Sequence, residues 1–140
     1  MNETTGRCLC GTVKYRVKNK IKETSACHCE MCRRWASGPF FGTSMIDEIT
    51  FSGEDNITHY RSSNWAERAF CKVCGSSLYF RMIEAGQLFL ATGTLDDQSE
   101  IVMNREVFID EKPDYYSFSG DAKKMTGKEM FDMYTPTDEN

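Results

Sequence analysis

The sequence predicts a mainly β protein, a small domain of antiparallel hairpins with little helix. Three observations support this fold class. Short runs rich in β-branched and aromatic residues recur along the chain, turn-forming clusters separate them, and only two brief stretches have helical character. At 140 residues, the chain is long enough for one domain with a buried hydrophobic core.

The clearest strand lies within residues 11–18. Three apolar side chains alternate there with three basic ones, which is the period-two pattern of a strand with one face in water. Further β-like runs follow at residues 39–46, 48–51, 57–61, 68–71, 77–83, 87–92 and 106–109. Turn-forming clusters at residues 52–56, 84–86 and 93–97 separate these runs, so the pattern predicts hairpins.

Two stretches are predicted to be helical. Residues 30–36 can form one or two turns, and residues 122–133 combine methionines with lysines in a short helix interrupted at Gly127. The predicted organisation is a single domain over residues 1–120, followed by a C-terminal extension over residues 121–140 that packs back onto it. The polar end of that extension, residues 135–140, is expected to be disordered.

The cysteines carry the strongest functional signal. All seven fall into three clusters, and residues one or two positions apart can present two sulfurs from one turn, as in thiolate metal sites. Four thiolates close a tetrahedron around zinc, whereas three leave one corner for water or a substrate. Other partitions, such as the triplet with one further thiol, leave three cysteines without obvious partners. The predicted sites are a closed structural one of Cys8, Cys10, Cys71 and Cys74, and an open catalytic one of Cys27, Cys29 and Cys32.

The two predicted sites differ in their chemistry. The closed site would join segments about sixty residues apart, so its loss should unfold the protein. The open site would hold zinc with three thiolates, which suits a soft sulfur ligand and lowers the pKa of an incoming thiol. Iron can replace zinc in sulfur tetrahedra. A thioredoxin-like role for the Cys71-x-x-Cys74 pair is disfavoured, because no strand-helix-strand pattern surrounds it.

Residues between the ligands are predicted from strand geometry. Alternate side chains of an extended segment share a face, so Leu9 should point away from its neighbouring cysteines and into the core. By the same argument, His28 should lie opposite Cys27 and Cys29, as a packed or hydrogen-bonded residue and not as a ligand. His59 is predicted to be a structural or surface histidine.

Composition excludes several classes of function. A net charge of -4 and a pI near 5.2 argue against binding to nucleic acid. The sequence has no apolar run of the ~18 residues that a membrane span needs, and its first residues are too polar for a secretory signal. The chain is therefore expected to be cytoplasmic, with no membrane partner. In a reducing compartment, closely spaced cysteines are more often metal ligands than disulfides.

The motifs resemble a known family. The order Gly6-x-Cys8-x-Cys10-Gly11, Cys27-His28-Cys29-x-x-Cys32-Arg33-Arg34 and Phe70-Cys71-x-x-Cys74-Gly75 is similar to that of the glutathione-dependent formaldehyde-activating enzymes, the family of centromere protein V. Gly38-Pro39-Phe40 and Gly93-Thr94-Leu95-Asp96-Asp97 extend the similarity. The resemblance covers the chain from about residue 6 to about residue 116.

This resemblance implies a zinc-stapled β fold of the type shared by methionine sulfoxide reductase B and a Rab-binding zinc protein, with two zinc ions per chain. It also implies a carbon-sulfur lyase that joins glutathione and formaldehyde into S-(hydroxymethyl)glutathione, so glutathione or a conjugate is the expected partner. The family's structural-zinc cysteines match Cys8, Cys10, Cys71 and Cys74, and its catalytic-zinc cysteines match Cys27, Cys29 and Cys32.

The sequence departs from the family pattern at two places, and these bear on the substrate and not on the zinc. Glu106 stands where histidine is usual, and Tyr115 or Tyr116 stands where tryptophan is frequent. The predicted function is a zinc-dependent carbon-sulfur lyase acting on a thiol adduct. No general base is evident.

Two alternatives remain from the residues alone. One is a non-catalytic zinc module for protein interaction, in which Glu30, Glu106 or His59 closes the cysteine triplet. The other is a thiol oxidoreductase that uses Cys29 or Cys32 directly. The number of protein ligands around the second metal separates the first alternative from the lyase.

Overall fold

The computed structural model of the chain describes residues 2–134, and it confirms the mainly β fold class. No helix in this part of the chain has the length and apolar character needed to cross a bilayer. The described residues form eleven short strands and two short helices. In chain order these are β1 (Thr4–Arg7), β2 (Lys14–Val17), β3 (Glu23–Cys27), α1 (Glu30–Ala36), β4 (Phe40–Thr43), β5 (Thr50–Ser52), β6 (Ile57–Arg61), β7 (Ala66–Cys71), β8 (Ser77–Met82), β9 (Leu88–Leu90), β10 (Val102–Val107), β11 (Lys123–Met125) and α2 (Gly127–Tyr134).

The strands form three small sheets. One has the order β1-β2-β5, and a second, β6-β7-β8-β9, is a meander of neighbours along the chain; the pairs in both are antiparallel. The third has the order β11-β10-β3-β4, and its β10-β11 pair is parallel. In this third sheet β3 lies beside β10, which brings residues almost eighty positions apart into neighbouring strands.

By the density of their internal contacts, the described residues divide into two compact units. The first comprises residues 2–23 and 42–102. Its core includes Tyr15, Leu78 and Leu90, all almost completely buried. The Tyr15 hydroxyl is 2.7 Å from the Thr94 hydroxyl, and a Cβ on Gly6 would lie 2.2 Å from the Tyr15 oxygen. Glycine is therefore required in β1, next to the first pair of cysteines.

The second unit comprises residues 24–41 and 103–134. Its helix α2 begins with a reciprocal capping box: the Glu129 carboxylate accepts from the Thr126 backbone N–H at 2.8 Å, and the Thr126 hydroxyl accepts from the Glu129 N–H at 3.1 Å. Gly127 packs so closely under Phe108 that a Cβ there would lie 2.7 Å from the ring. These contacts fix the start of α2.

Sequence and structure agree closely on some elements and differ on others. The predicted bounds of β6 and α1 are the observed ones. The prediction of one helix over residues 122–133 is wrong: residues 123–125 form β11, and Gly127 begins α2 instead of interrupting it. Strands β1 and β3 were not predicted. Residues 135–140, predicted to be disordered, lie outside the described residues, and the single domain over residues 1–120 stays a prediction.

Candidate metal centres

The first cysteine cluster lies in the first unit. Cys8 and Cys10 follow β1, Cys71 ends β7, and Cys74 lies in the turn after it. The four sulfur atoms all lie within 4.8 Å of one another. The Cys8 and Cys10 sulfurs are 3.6 Å apart, and the Cys10 and Cys71 sulfurs are 3.9 Å apart.

These distances fit a metal site. Zinc in a tetrahedron with Zn–S bonds of ~2.3 Å places its sulfurs ~3.8 Å apart, whereas a disulfide has an S–S distance of ~2.05 Å. All seven cysteines are free thiols. The four residues therefore present the ligand type and the spacing that zinc requires.

Two tight turns hold the ligands in place. Gly11 and Gly75 have φ angles of 83° and 81°, a conformation that other residues rarely adopt. The Gly75 N–H donates to the Cys71 carbonyl at 2.7 Å, and the Gly11 N–H donates to the Cys8 carbonyl at 3.1 Å. The Val13 N–H donates to the Cys8 sulfur at 3.3 Å, as expected where a turn aims backbone donors at a thiolate.

Ser76 favours the thiolate form of one cysteine in this cluster. Its hydroxyl lies 3.2 Å from the Cys74 sulfur and accepts from the Leu9 N–H at 2.9 Å. Hydrogen bonding from the Ser76 side chain, and then from its backbone, lowers the pKa of Cys74 to about 5. Cys74 is therefore a thiolate at neutral pH and is ready to bind a cation.

Leu9 corrects one prediction. It was expected to face the core, but 80% of its surface is exposed. The strand β1 ends at Arg7, so Leu9 lies in a turn where strand alternation does not apply.

The second cluster lies in the second unit. Cys27 ends β3, Cys29 caps the N-terminus of α1, and Cys32 lies in the first turn of that helix. Their three sulfur atoms lie within 4.8 Å of one another. The Cys29 sulfur accepts from the Cys32 N–H at 3.4 Å, so the ligand also serves as the helix cap. The helix geometry thus converts the Cys-x-x-Cys spacing into two convergent sulfurs.

Electrostatics favour a cation at the second cluster. The neighbouring Cys29 and Cys32 thiols, followed by burial, raise the pKa of Cys27 well above its usual range. Three thiolates this close repel one another, because each disfavours the charged form of the others. A bound divalent cation removes this obstacle, so the cluster suits a metal better than it suits three free thiolates.

The residues named as a fourth ligand are engaged elsewhere. Within residues 2–134, the cluster contains no fourth His, Cys, Asp or Glu. The Glu30 carboxylate pairs with Arg34 at 2.9 Å, and the Nε2 atom of His59 is 2.7 Å from the Tyr79 hydroxyl. Glu106 contacts His28, as described next. The structure thus gives a set of three sulfurs.

A buried polar chain lies behind the second cluster. His28 is fully buried, with Nε2 2.9 Å from a Glu106 carboxylate oxygen and Nδ1 2.7 Å from the Tyr116 hydroxyl. Glu106 is itself 2% exposed. Since a carboxylate accepts, the proton is placed on Nε2, and Nδ1 accepts from Tyr116. The prediction that His28 is a hydrogen-bonded residue is confirmed.

This chain fixes the ligand segment in position. Ala26 and His28 are buried while Cys27 and Cys29 are partly exposed, so the two cysteines share the opposite face, as predicted. The His28 N–H also donates to the Val107 carbonyl at 3.0 Å. Backbone and side chain together anchor the residue between the two ligands.

Sequence reasoning did not find the chain of Glu106, His28 and Tyr116. The contacts join residues 78 and 88 positions apart. The available signal was the pair of departures from the resembled motifs, at Glu106 and at Tyr115 or Tyr116. Glu106 and Tyr116 both contact the same histidine.

Comparisons with known proteins agree with this geometry. The sequence profile of the glutathione-dependent formaldehyde-activating enzymes matches residues 3–111. The chain belongs to this family. The match includes all seven cysteines of the two clusters. The resemblance inferred from the motifs is therefore confirmed.

A curated relative and a solved structure extend the comparison. An uncharacterized lyase of Schizosaccharomyces pombe is 36% identical over 131 residues, covering 93% of this chain and 96% of the relative. A crystal structure of a Rhodobacter sphaeroides protein superposes with a TM-score of 0.55 at 21% identity, covering 71% of this chain and 98% of that one. At that identity the second comparison supports the fold alone.

The seven predicted ligands thus form a group of four and a group of three, as the spacing indicated. Both groups can bind metal ions. The division into a structural and a catalytic site stays a prediction.

Proposed function

We propose that this protein is a zinc-dependent carbon-sulfur lyase that adds a glutathione-type thiol to an aldehyde such as formaldehyde, and that also catalyses the reverse reaction. In the forward direction the thiol sulfur forms a bond to the carbonyl carbon. The π electrons of the carbonyl move to its oxygen, and that oxygen takes the proton that the thiol gives up. The product is an S-hydroxymethyl thioether, and no redox partner is needed.

The observation that carries this proposal is the three-sulfur set. Cys27, Cys29 and Cys32 converge with no fourth His, Cys, Asp or Glu among the described residues, and three thiolates would leave one corner of a zinc tetrahedron for water or a substrate. Zinc bound there would supply an open coordination position and lower the pKa of a thiol that occupies it. The family match and the relative named as a lyase support the same reaction class.

The protein's own residues position this set. Cys27 and Cys29 project from one face of the segment that His28 anchors through Glu106 and Tyr116. Cys32 is held by the first turn of α1, where it is 5% exposed. The site is therefore preorganised, so a substrate does not have to order it.

The four-cysteine set has a structural role in this proposal. It joins the loop after β1 to the turn after β7, and a closed thiolate site can contribute about 10–16 kcal/mol of apparent binding free energy to folding. Two zinc ions per chain are expected.

The test compares zinc content with exchange kinetics. Wild type should contain two zinc atoms per chain by mass spectrometry, and it should accelerate exchange between [13C]formaldehyde and S-(hydroxymethyl)glutathione in NMR exchange spectra. Cys29→Ser should lose one zinc and the acceleration while keeping α1, because serine is also a good helix cap. The matched control is Met31→Leu, a substitution at an exposed position in the same turn.

Two outcomes would contradict the proposal. One is exchange that is equally fast in wild type and in Cys29→Ser. The other is a second zinc whose X-ray absorption shows four protein ligands and no change when glutathione is added, which would support the non-catalytic zinc module instead.

A further inference from the structure

A cavity of about 360 Å³ lies along helix α1 in the second unit. Its lining residues are Glu30, Arg33, Arg34, Ser37 and Tyr115. Glu30, Arg33 and Arg34 are spaced as neighbours on one face of α1, and Ser37 caps the C-terminus of that helix. Glu30 and Arg33 directly follow the ligands Cys29 and Cys32 in the chain. Arg33 also donates to the carbonyl of His28, so the cavity is lined by neighbours of the ligand segment.

The charges that line the cavity do not cancel. Arg34 and Glu30 form an exposed ion pair at 2.9 Å, which neutralises both. Arg33 donates from Nε to the His28 carbonyl at 2.9 Å, and no carboxylate among residues 2–134 lies within ion-pair distance of it. Arg33 is thus the charged residue of this lining that has no ion-pair partner among residues 2–134, and it directly follows the ligand Cys32 in the chain.

Arg33 is suited to recognise a carboxylate. A guanidinium stays protonated at every physiological pH, and its two terminal nitrogens match the two oxygens of a carboxylate. The hydrogen bond from Nε to the His28 carbonyl restrains the side chain, so less conformational entropy is lost on binding. Arg33 is also only partly exposed, which reduces the screening of its charge by solvent.

We infer that this cavity binds a carboxylate of the thiol substrate, with Arg33 as the residue that recognises it. The inference rests on the proposed function, because a thiol whose sulfur occupies the second cluster must extend its remaining atoms along the neighbouring surface. The substrates are therefore thiols that bear a carboxylate. Neutral thiols bind more weakly, although their sulfur is equally able to reach the metal.

The test measures binding to the zinc-loaded protein by titration calorimetry and does not depend on turnover. Glutathione should bind wild type about tenfold more tightly than its diethyl ester, which has the same thiol and no carboxylate. Arg33→Gln should lose about tenfold in affinity for glutathione and almost none for the ester. Equal affinity of wild type for both ligands would overturn the inference.

Two further variants separate charge from structure. Arg33→Lys keeps the charge but loses the Nε bond to His28, so it should recover part of the preference for glutathione over the ester. If Arg33→Lys shows no preference for glutathione over the ester, with folding and zinc content intact, the charge-based assignment is contradicted. Arg34→Gln removes an equal charge from the same face and should cost less affinity, since Arg34 is already paired. A greater loss of glutathione affinity in Arg34→Gln than in Arg33→Gln would also refute the assignment.

A third ligand distinguishes this inference from the proposed function. S-methylglutathione keeps both carboxylates and has no free thiol. If the proposed function is correct, S-methylglutathione binds wild type more weakly than glutathione does. This difference is expected whether or not Arg33 recognises a carboxylate. If S-methylglutathione and glutathione bind equally well while the diethyl ester binds weakly, the carboxylate site stands and the zinc–thiol proposal fails.

Discussion

Replacement of Glu106 by alanine should destabilise the protein by about 3 kcal/mol. The carboxylate is 2% exposed and lies 2.9 Å from Nε2 of His28, which is fully buried. Removing it leaves a buried donor without a partner, which costs about 1–3 kcal/mol, and creates a cavity in the surrounding packing. The Lys124 ammonium, 3.8 Å away and half exposed, adds little.

The assay is urea unfolding at a fixed free zinc concentration, because bound metal shifts the apparent stability. For a chain of this length, about 3 kcal/mol corresponds to a melting temperature lower by about 10 °C. Glu106→Gln keeps an oxygen that accepts from Nε2 and should lose only about 1 kcal/mol. The matched control is Glu30→Ala, which breaks an exposed ion pair and should cost about 0.5 kcal/mol or less.

The result that would refute this reasoning is a loss in Glu106→Ala no greater than in Glu30→Ala. Such a result would mean that water or another group satisfies His28, and that Glu106 does not anchor the ligand segment. If Glu106→Gln were as unstable as Glu106→Ala, the charge of the carboxylate and not its acceptor oxygen would be the important property.

Three further predictions concern the two clusters. Cys74→Ser removes a ligand from the four-cysteine site and should abolish soluble folded protein in expression assays; a native melting temperature in this variant would contradict the pairing. Ser76→Ala removes the side-chain hydrogen bond that helps to lower the pKa of Cys74 to about 5, so the pKa of Cys74 should rise. Protons then compete with zinc for this sulfur at higher pH. As the pH is lowered, a chromogenic chelator should therefore detect zinc release at a higher pH than in wild type. An unchanged release midpoint would exclude this role of Ser76. Tyr116→Phe loses the hydrogen bond to His28, so its free energy of unfolding, measured by thermal unfolding, should be lower by about 1 kcal/mol. In the control Tyr115→Phe, at a residue that is 78% exposed, the free energy of unfolding should hardly change. Equal losses of stability in the two variants would contradict the predicted difference.

Local features of the fold could be predicted from the sequence because their causes are local. Strand β6 and helix α1 have the predicted bounds, and the cysteine spacing predicted the division into four and three sulfurs. A Cys-x-x-Cys turn needs only the residues it contains. Leu9 shows the limit of such rules, since the end of β1 two residues earlier removed the alternation on which its prediction depended.

Elements whose partners are distant in sequence could not be predicted in this way. Strand β3 is made of small and polar residues, and β11 is a short lysine-rich segment within a helical pattern. Their strand conformation comes from neighbours in the third sheet: β3 lies beside β10, and residues 123–125 pair in parallel with residues 105–107. Backbone hydrogen bonds to a partner strand outweigh weak local propensity.

The sequence by itself determined the chemistry of this protein: seven thiols at chelating intervals, a family, and a mainly β chain. Only the tertiary structure decided how the second cluster is supported and which charge lies beside it. Glu106 and Tyr116 reach His28 across 78 and 88 residues, and Arg33 donates to the His28 carbonyl without a carboxylate partner among the described residues. Which residues can bind a metal is set by residue type and short spacing. The burial of a side chain and its contact partners depend on strand order and register, which no short stretch of sequence specifies.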